Sequence, residues 1–107
     1  HPTGRLLGSR ESYEVDWPTI FDFCVKNNKA LEINAYPNRL DLPDTLVREA
    51  VKKGVLLSLG TDAHAKDAMS LMPYGVAVAR RGWCEGENII NTWSYSKIDK
   101  WLKLRSV

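Results

Sequence analysis

Histidine and cysteine are both rare in this chain, which contains two of each among its 107 residues. Cys24 and Cys84 lie far apart and form no Cys-x-x-Cys motif, so two buried free thiols of a cytosolic protein are the simpler interpretation. A disulfide between them is the alternative. With only His1 and His64 available, each histidine is a candidate functional residue.

Long apolar runs and a strong net charge are also missing. No run approaches the roughly 20 residues that a membrane span needs, and no signal peptide is visible, so we expect a cytoplasmic protein without a membrane partner. A net charge of +2 is too small to identify a nucleic-acid partner. The composition is that of an ordinary globular chain, long enough for one small domain or for a piece of a larger one. Because the chain starts with His1 and not with methionine, we expect either that it is a fragment or that His1 is left over from cloning.

Helix and strand signals alternate along the first sixty residues. Asp16 and Pro18 predict the start of a first helix, and Asp41 is predicted to cap a second. The predicted order is helix 17–28, strand 30–34, a helix ended by Gly54, and strand 55–59. Short links between these elements predict an α/β fold with parallel strands, crossover helices and a sheet covered on both faces.

The rest of the chain is predicted to be mainly helical. Helices are expected over 65–72, 74–81 and 87–91, and a last amphipathic helix is capped by Ser94 or Ser96. The spacing of apolar residues predicts which side of each helix faces the core. In the first helix this side is formed by Ile20, Phe21, Cys24 and Val25. In the helix over 74–81 it is formed by Val76, Val78 and Ala79, and in the last helix by Ile98, Trp101, Leu102 and Leu104.

The stretch from Leu57 to His64 is the strongest candidate for a functional site. It reads as a buried strand that ends in Gly60 and then presents Asp62 and His64. Sites of α/β folds lie beyond the carboxyl ends of their strands. Carboxylate and neutral imidazole are suitable ligands for Zn, Mn or Fe, although an Asp-x-His pair is also common as a hydrogen-bonded loop cap.

Further candidates are polar residues that could reach a phosphate or DNA: Arg5, Asn34, Arg39 and Arg80. For Arg5 the alternative is a solvated loop arginine, and for Asn34 a turn residue that satisfies the backbone. For Arg39, Arg80 and Arg81 the alternative is a charged helix end, which is the commoner role of such residues. The four tryptophans are expected to be packing residues more often than platforms for stacked bases.

Five short motifs occur in an order and spacing that resemble the PHP (polymerase and histidinol phosphatase) domain, of the kind found in family X DNA polymerases. They are residues 1–5 (His-Pro-Thr-Gly-Arg), 31–35 (Leu-Glu-Ile-Asn-Ala), 39–42 (Arg-Leu-Asp-Leu), 61–64 (Thr-Asp-Ala-His) and 74–83 (Tyr-Gly-Val-Ala-Val-Ala-Arg-Arg-Gly-Trp). The resemblance implies that residues 1–107 are the C-terminal part of a single PHP domain, a distorted (β/α)7 barrel whose upstream strands and ligands are absent here.

The resemblance also implies a cluster of three divalent metal ions, with His1, Asp62 and His64 each serving a different metal as catalytic residues. The intact domain is then expected to be a metal-dependent phosphoesterase that acts on DNA 3′ ends, as a 3′–5′ exonuclease or 3′-phosphatase. Such a cluster activates water for attack on phosphorus. Two alternatives stay open. One is a stand-alone PHP phosphatase for a small phosphate ester. The other is an inactive truncated segment that forms a homo-oligomer through exposed sheet edges.

Overall fold

Two parallel strands form the centre of the computed structural model, which describes residues 1–105. They are β1 (Ala30–Asn34) and β2 (Leu56–Gly60). The helices are α1 (Trp17–Lys26), α2 (Asp44–Lys53), α3 (Met72–Arg81) and α4 (Tyr95–Arg105), and shorter 3-10 segments cover Lys66–Leu71, Gly86–Asn88 and Ile90–Thr92. The predicted parallel pair with its crossover helix α2 is confirmed, whereas the barrel stays a prediction. None of the helices in the described part of the chain is long and apolar enough to cross a membrane.

Several helix ends follow the sequence signals, but the predicted bounds are wrong elsewhere: α1 ends at Lys26, α3 already begins at Met72, and the helices predicted over 65–72 and 87–91 are short 3-10 segments. The Asp16 carboxylate caps α1 by accepting from the Thr19 amide at 3.3 Å, and Gly54 ends α2 in the left-handed conformation with a φ of 85°. The prediction that Asp41 caps α2 is wrong, because the capping position belongs to Pro43 and carries no side-chain hydrogen bond. The Asp41 carboxylate is instead engaged by a distant part of the chain.

The sheet has one apolar face and one polar face. Leu31 and Ile33 lie opposite Leu57 and Leu59, and this face packs into a single core with α1, α2 and α3. The other face carries Glu32 and Asn34 opposite Ser58 and Gly60, which are half-buried except for the fully buried Asn34. The expectation of a sheet covered on both faces is therefore only partly met within residues 1–105.

Four side chains predicted to point inward lie at the surface instead: Val25, Val76, Leu102 and Leu104. Each belongs to a helix whose apolar stripe is wider than the face that contacts the core. Of the other predicted core residues of α1, Phe21 and Cys24 are buried and Ile20 is half-buried. Cys24 and Cys84 are both free, as predicted, and burial raises the pKa of each thiol.

The two edges of the sheet differ. Outside β2, the side-chain amide of Asn91 accepts from the Leu59 N–H at 2.8 Å and donates to the Leu59 carbonyl at 2.9 Å, and Ile89 forms a bridge with Leu57. Outside β1, the chain pairs only near the carboxyl end, where Asn34 bridges to Asp41 and the Glu32 carbonyl accepts from the Leu42 amide. No strand within residues 1–105 pairs with the first residues of β1 on this side.

An ion pair joins the start of α2 to the end of α3. The Arg81 Nε lies 2.7 Å from Oδ2 of Asp44. This hydrogen bond, with smaller contributions from the Thr45 amide and from the charges of Arg81 and Arg5, holds the pKa of Asp44 below its usual value against the opposing effect of burial. The carboxylate thus stabilises the fold above its ordinary pKa, and the contribution disappears as the pH falls through the lowered pKa.

We expect Asp44→Asn to reduce the free energy of unfolding by less than about 1 kcal/mol at neutral pH, because Arg81 is largely exposed. The difference from wild type should shrink as the pH falls below about 4. Urea unfolding at pH 7 and pH 3 measures both values. The matched control is Asp67→Asn, since Asp67 makes no ion pair within residues 1–105. An Asp44→Asn difference that is equal at the two pH values would contradict the assignment.

Candidate functional site

Three side chains meet at the carboxyl ends of the two strands. Asn34 is the last residue of β1, and Asp62 follows β2 by two residues. The Nε2 atom of His1 lies 3.3 Å from Oδ2 of Asp62. The side-chain nitrogen Nδ2 of Asn34 lies 3.3 Å from Nδ1 of His1 and 3.3 Å from Oδ2 of Asp62. The structure thus brings together two of the proposed metal ligands and places Asn34 between them.

The contacts of His1 suit one neutral tautomer. An amide N–H can only donate, so the tautomer that accepts from Asn34 at Nδ1 and carries its proton on Nε2, toward Asp62, satisfies both contacts. The side-chain oxygen Oδ1 of Asn34 accepts from the main-chain amide of Tyr36 at 3.0 Å, which sets the orientation of the Asn34 side chain. Both ring nitrogens of His1 are therefore used inside the protein.

His64 is arranged in the opposite way. Its Nδ1 lies 2.7 Å from the carbonyl oxygen of Asp62, and because a carbonyl can only accept, Nδ1 carries the proton. The lone pair is then on Nε2, and the side chain is 86% exposed. His64 and Asp62 line an open cleft of about 400 Å³ together with Arg39, Tyr36 and other residues of the same loops.

The proposed phosphate-binding arginines occupy different places. Arg5 donates from Nε to the Arg39 carbonyl at 3.0 Å, and Arg39 donates from Nη1 to the Arg5 carbonyl at 3.1 Å. This reciprocal pair braces the two loops beside the cleft. Arg80 borders a separate, mainly apolar cavity between α3 and residues 84–92, so the structure does not bring it to the cleft of Asp62 and His64.

Asp41 is the site-supporting residue that the sequence did not reveal. Its fully buried carboxylate accepts from the Thr3 amide at 3.1 Å and from the Gly4 amide at 3.1 Å. Its main chain pairs with Asn34 at the end of β1. Asp41 therefore anchors the segment that carries His1 to the strand end that carries Asn34.

The ligand set tests whether these residues suit a metal ion. Asp62 and the Nε2 of His64 have suitable donor chemistry, whereas both ring nitrogens of His1 already face protein side chains, Asn34 and Asp62, at 3.3 Å. No group of three or more His, Cys, Asp or Glu side chains that could hold a metal is found among residues 1–105. The described residues are thus not a complete metal site by themselves.

Sequence comparison adds one relative. No protein-family model matches the chain. The chain is 43% identical over 103 residues to a Bacillus subtilis (strain 168) protein named DNA polymerase/3'-5' exonuclease PolX. The alignment covers 96% of this chain but 18% of the relative, so the chain spans less than a fifth of that protein's length. The similarity agrees with the resemblance to family X DNA polymerases, while the PHP assignment stays a prediction. Over nearly its whole length, this chain is similar to one segment of a protein whose name combines a DNA polymerase with a 3'-5' exonuclease.

Proposed function

We propose that this chain supplies part of a metal-dependent phosphoesterase site that acts on the 3′ ends of DNA. The observation that carries the proposal is the meeting of His1, Asn34 and Asp62 at the strand ends, next to the His64 cleft. The name of the relative favours DNA over a small phosphate ester as the substrate. Because the ligand set within residues 1–105 is incomplete, the proposal includes further ligands from outside these residues.

Each residue has a defined part in this proposal. Asp62 and His64 contribute a carboxylate oxygen and the Nε2 lone pair toward the cleft. Asn34 holds His1 and Asp62 in place from a buried position. Arg39, which lines the cleft, is positioned to meet a phosphate with the guanidinium donors that it does not use on Arg5. Divalent ions, when bound, supply a Lewis acid for the phosphoryl oxygens.

A paramagnetic titration tests the ligands in the chain itself. We expect added Mn²⁺ to broaden the NMR signals of Asp62 and His64 before other signals, with weak affinity because few ligands are present. Asp62→Ala should remove this local broadening, whereas the control Asp67→Ala should retain it. Broadening that is uniform over the acidic surface, or that is unchanged in Asp62→Ala, would overturn the assignment.

A chimera tests hydrolysis. Replacing the matching segment of the B. subtilis relative with this chain should yield a protein that removes nucleotides from a labelled DNA 3′ end in the presence of Mn²⁺. Asp62→Ala in the chimera is expected to reduce this rate at least about a hundredfold, the scale of losing one strong electrostatic contribution at an active site. A chimera whose hydrolysis is insensitive to Asp62→Ala would refute the proposed function.

A further inference from the structure

Trp83 is the most unusual exposed residue near the end of α3. Its side chain is 70% exposed, so the expectation that this tryptophan packs inside is wrong. Its backbone has a φ of 63°, a conformation that bulky residues rarely adopt. This conformation ends α3, where the Cys84 amide donates to the Ala79 carbonyl at 3.0 Å. The exposure of such a large aromatic group is what points to a role in binding rather than in packing.

One face of the Trp83 ring is already occupied by a cation. The guanidinium carbon of Arg48, on α2, lies 4.5 Å from the centre of the ring. Together with Arg81, Asp44 and Glu49, these residues border a shallow cleft of about 340 Å³. The high exposure of Trp83 leaves the other ring face accessible to a flat partner.

Further arginines lie beside the candidate site. Arg81 pairs with Asp44 at 2.7 Å, and the charge of Arg5 is one of the smaller causes that lower the pKa of Asp44. The guanidinium groups of Arg5 and Arg39 donate to each other's main-chain carbonyls, and Arg39 lines the cleft of Asp62 and His64. The series Arg39, Arg5, Arg81 and Arg48, ending at Trp83, is named the arginine strip. Of the two carboxylates beside it, Glu49 also pairs with Lys52, so the strip keeps an excess of positive charge.

We propose that the arginine strip binds single-stranded DNA, with one base stacked on the open face of Trp83 and phosphates along the arginines toward the Asp62 cleft. This inference rests on the proposed function for its partner and adds a second contact remote from the reacting phosphate. Aromatic stacking with flanking arginines is the sequence-tolerant way in which proteins hold single strands. An unpaired base could stack on the exposed face of the Trp83 ring, and the negative phosphates would complement the positive charge of the arginines.

The test measures binding of a fluorescein-labelled 12-nucleotide single strand to the 107-residue chain by anisotropy, at low salt and in EDTA. We expect Trp83→Ala to weaken binding at least about fivefold, and Trp83→Phe to retain most of it. The control is Tyr95→Ala, because Tyr95 is also highly exposed but lies on α4, outside the strip. Arg48→Met should weaken binding and make its salt dependence less steep.

The inference would be overturned by wild-type chain that does not bind the single strand, or by Trp83→Ala that binds as tightly as wild type. Self-association through Trp83 would also overturn the inference, because it would assign this surface to protein contacts. It would appear as a molecular mass that rises with concentration in wild-type chain but not in Trp83→Ala. EDTA makes the assay independent of metal ions. Failure here therefore leaves the Mn²⁺ and hydrolysis tests untouched, and failure of those tests leaves this one intact.

Discussion

Replacing Asp41 with alanine is expected to destabilise the chain by about 2–4 kcal/mol, because the substitution removes a buried charged acceptor that binds two main-chain amides and leaves one of them unpaired. The carboxylate of Asp41 is inaccessible to solvent and accepts from the amides of Thr3 and Gly4. Alanine would leave the buried Thr3 N–H without an acceptor, whereas the Gly4 N–H would keep its contact with the His1 carbonyl at 3.1 Å. Urea unfolding monitored by tryptophan fluorescence gives the free energy.

The same variant should release the segment that carries His1. Amide hydrogen exchange at Thr3 and Gly4 is expected to become much faster in Asp41→Ala, while exchange in the middle of β2 follows only the global loss of stability. Asp67→Ala, an exposed aspartate, is the control and should stay within about 0.5 kcal/mol of wild type. Unchanged protection of Thr3 and Gly4 in Asp41→Ala would show that another group anchors this segment.

Gly82→Ala has the second-largest expected effect. A Cβ at this position would lie 2.3 Å from Cγ1 of Val47 and 3.2 Å from the amide nitrogen of Arg48. Val47 is completely buried in α2 and has no room to withdraw, so overpacking is expected to cost about 1–3 kcal/mol. Glycine is needed here because α3 ends in direct contact with the backbone of α2.

A double-mutant cycle identifies the cause of this loss. Val47→Ala removes the Cγ1 contact at 2.3 Å but leaves the Cβ of residue 47 at 2.8 Å. Part of the clash is therefore relieved, and the combined variant should be less destabilised than the sum of the two single variants. Gly86→Ala is the matched control, since its Cβ would meet only Thr92 atoms at 3.9 Å, an ordinary contact. Strict additivity of Gly82→Ala and Val47→Ala would exclude this steric explanation.

Local signals predicted the secondary structure well, because their physical causes are local. The cap at Asp16, the left-handed Gly54 and the apolar strand after it depend on neighbours within a few residues. The same is true of Ser94, whose hydroxyl accepts from the Lys97 amide at the start of α4, as predicted. The placement of Asp62 beyond the end of β2 also follows from the strand pattern alone.

Features that depend on distant contacts could not be predicted in this way. Asp41 looks like a helix cap in the sequence, but its carboxylate binds amides 37 and 38 residues away. Arg5 and Arg39 look like phosphate ligands, and nothing local indicates that they hold each other's loops. The exposure of Trp83 depends on where α3 meets α2. Such positions are determined by packing, which periodicity does not encode.

The unequal edges of the sheet limit how copies of this chain could assemble. Asn91 and Ile89 occupy the outer side of β2, so within residues 1–105 main-chain hydrogen bonds for an added strand remain beside the first residues of β1. A sheet with one accessible edge cannot be extended head to tail by copy after copy, because continuous extension needs an unpaired strand edge on each side of the sheet. Association through the edge would therefore stop at a twofold symmetric pair, in which β1 meets β1, rather than continue into a fibre.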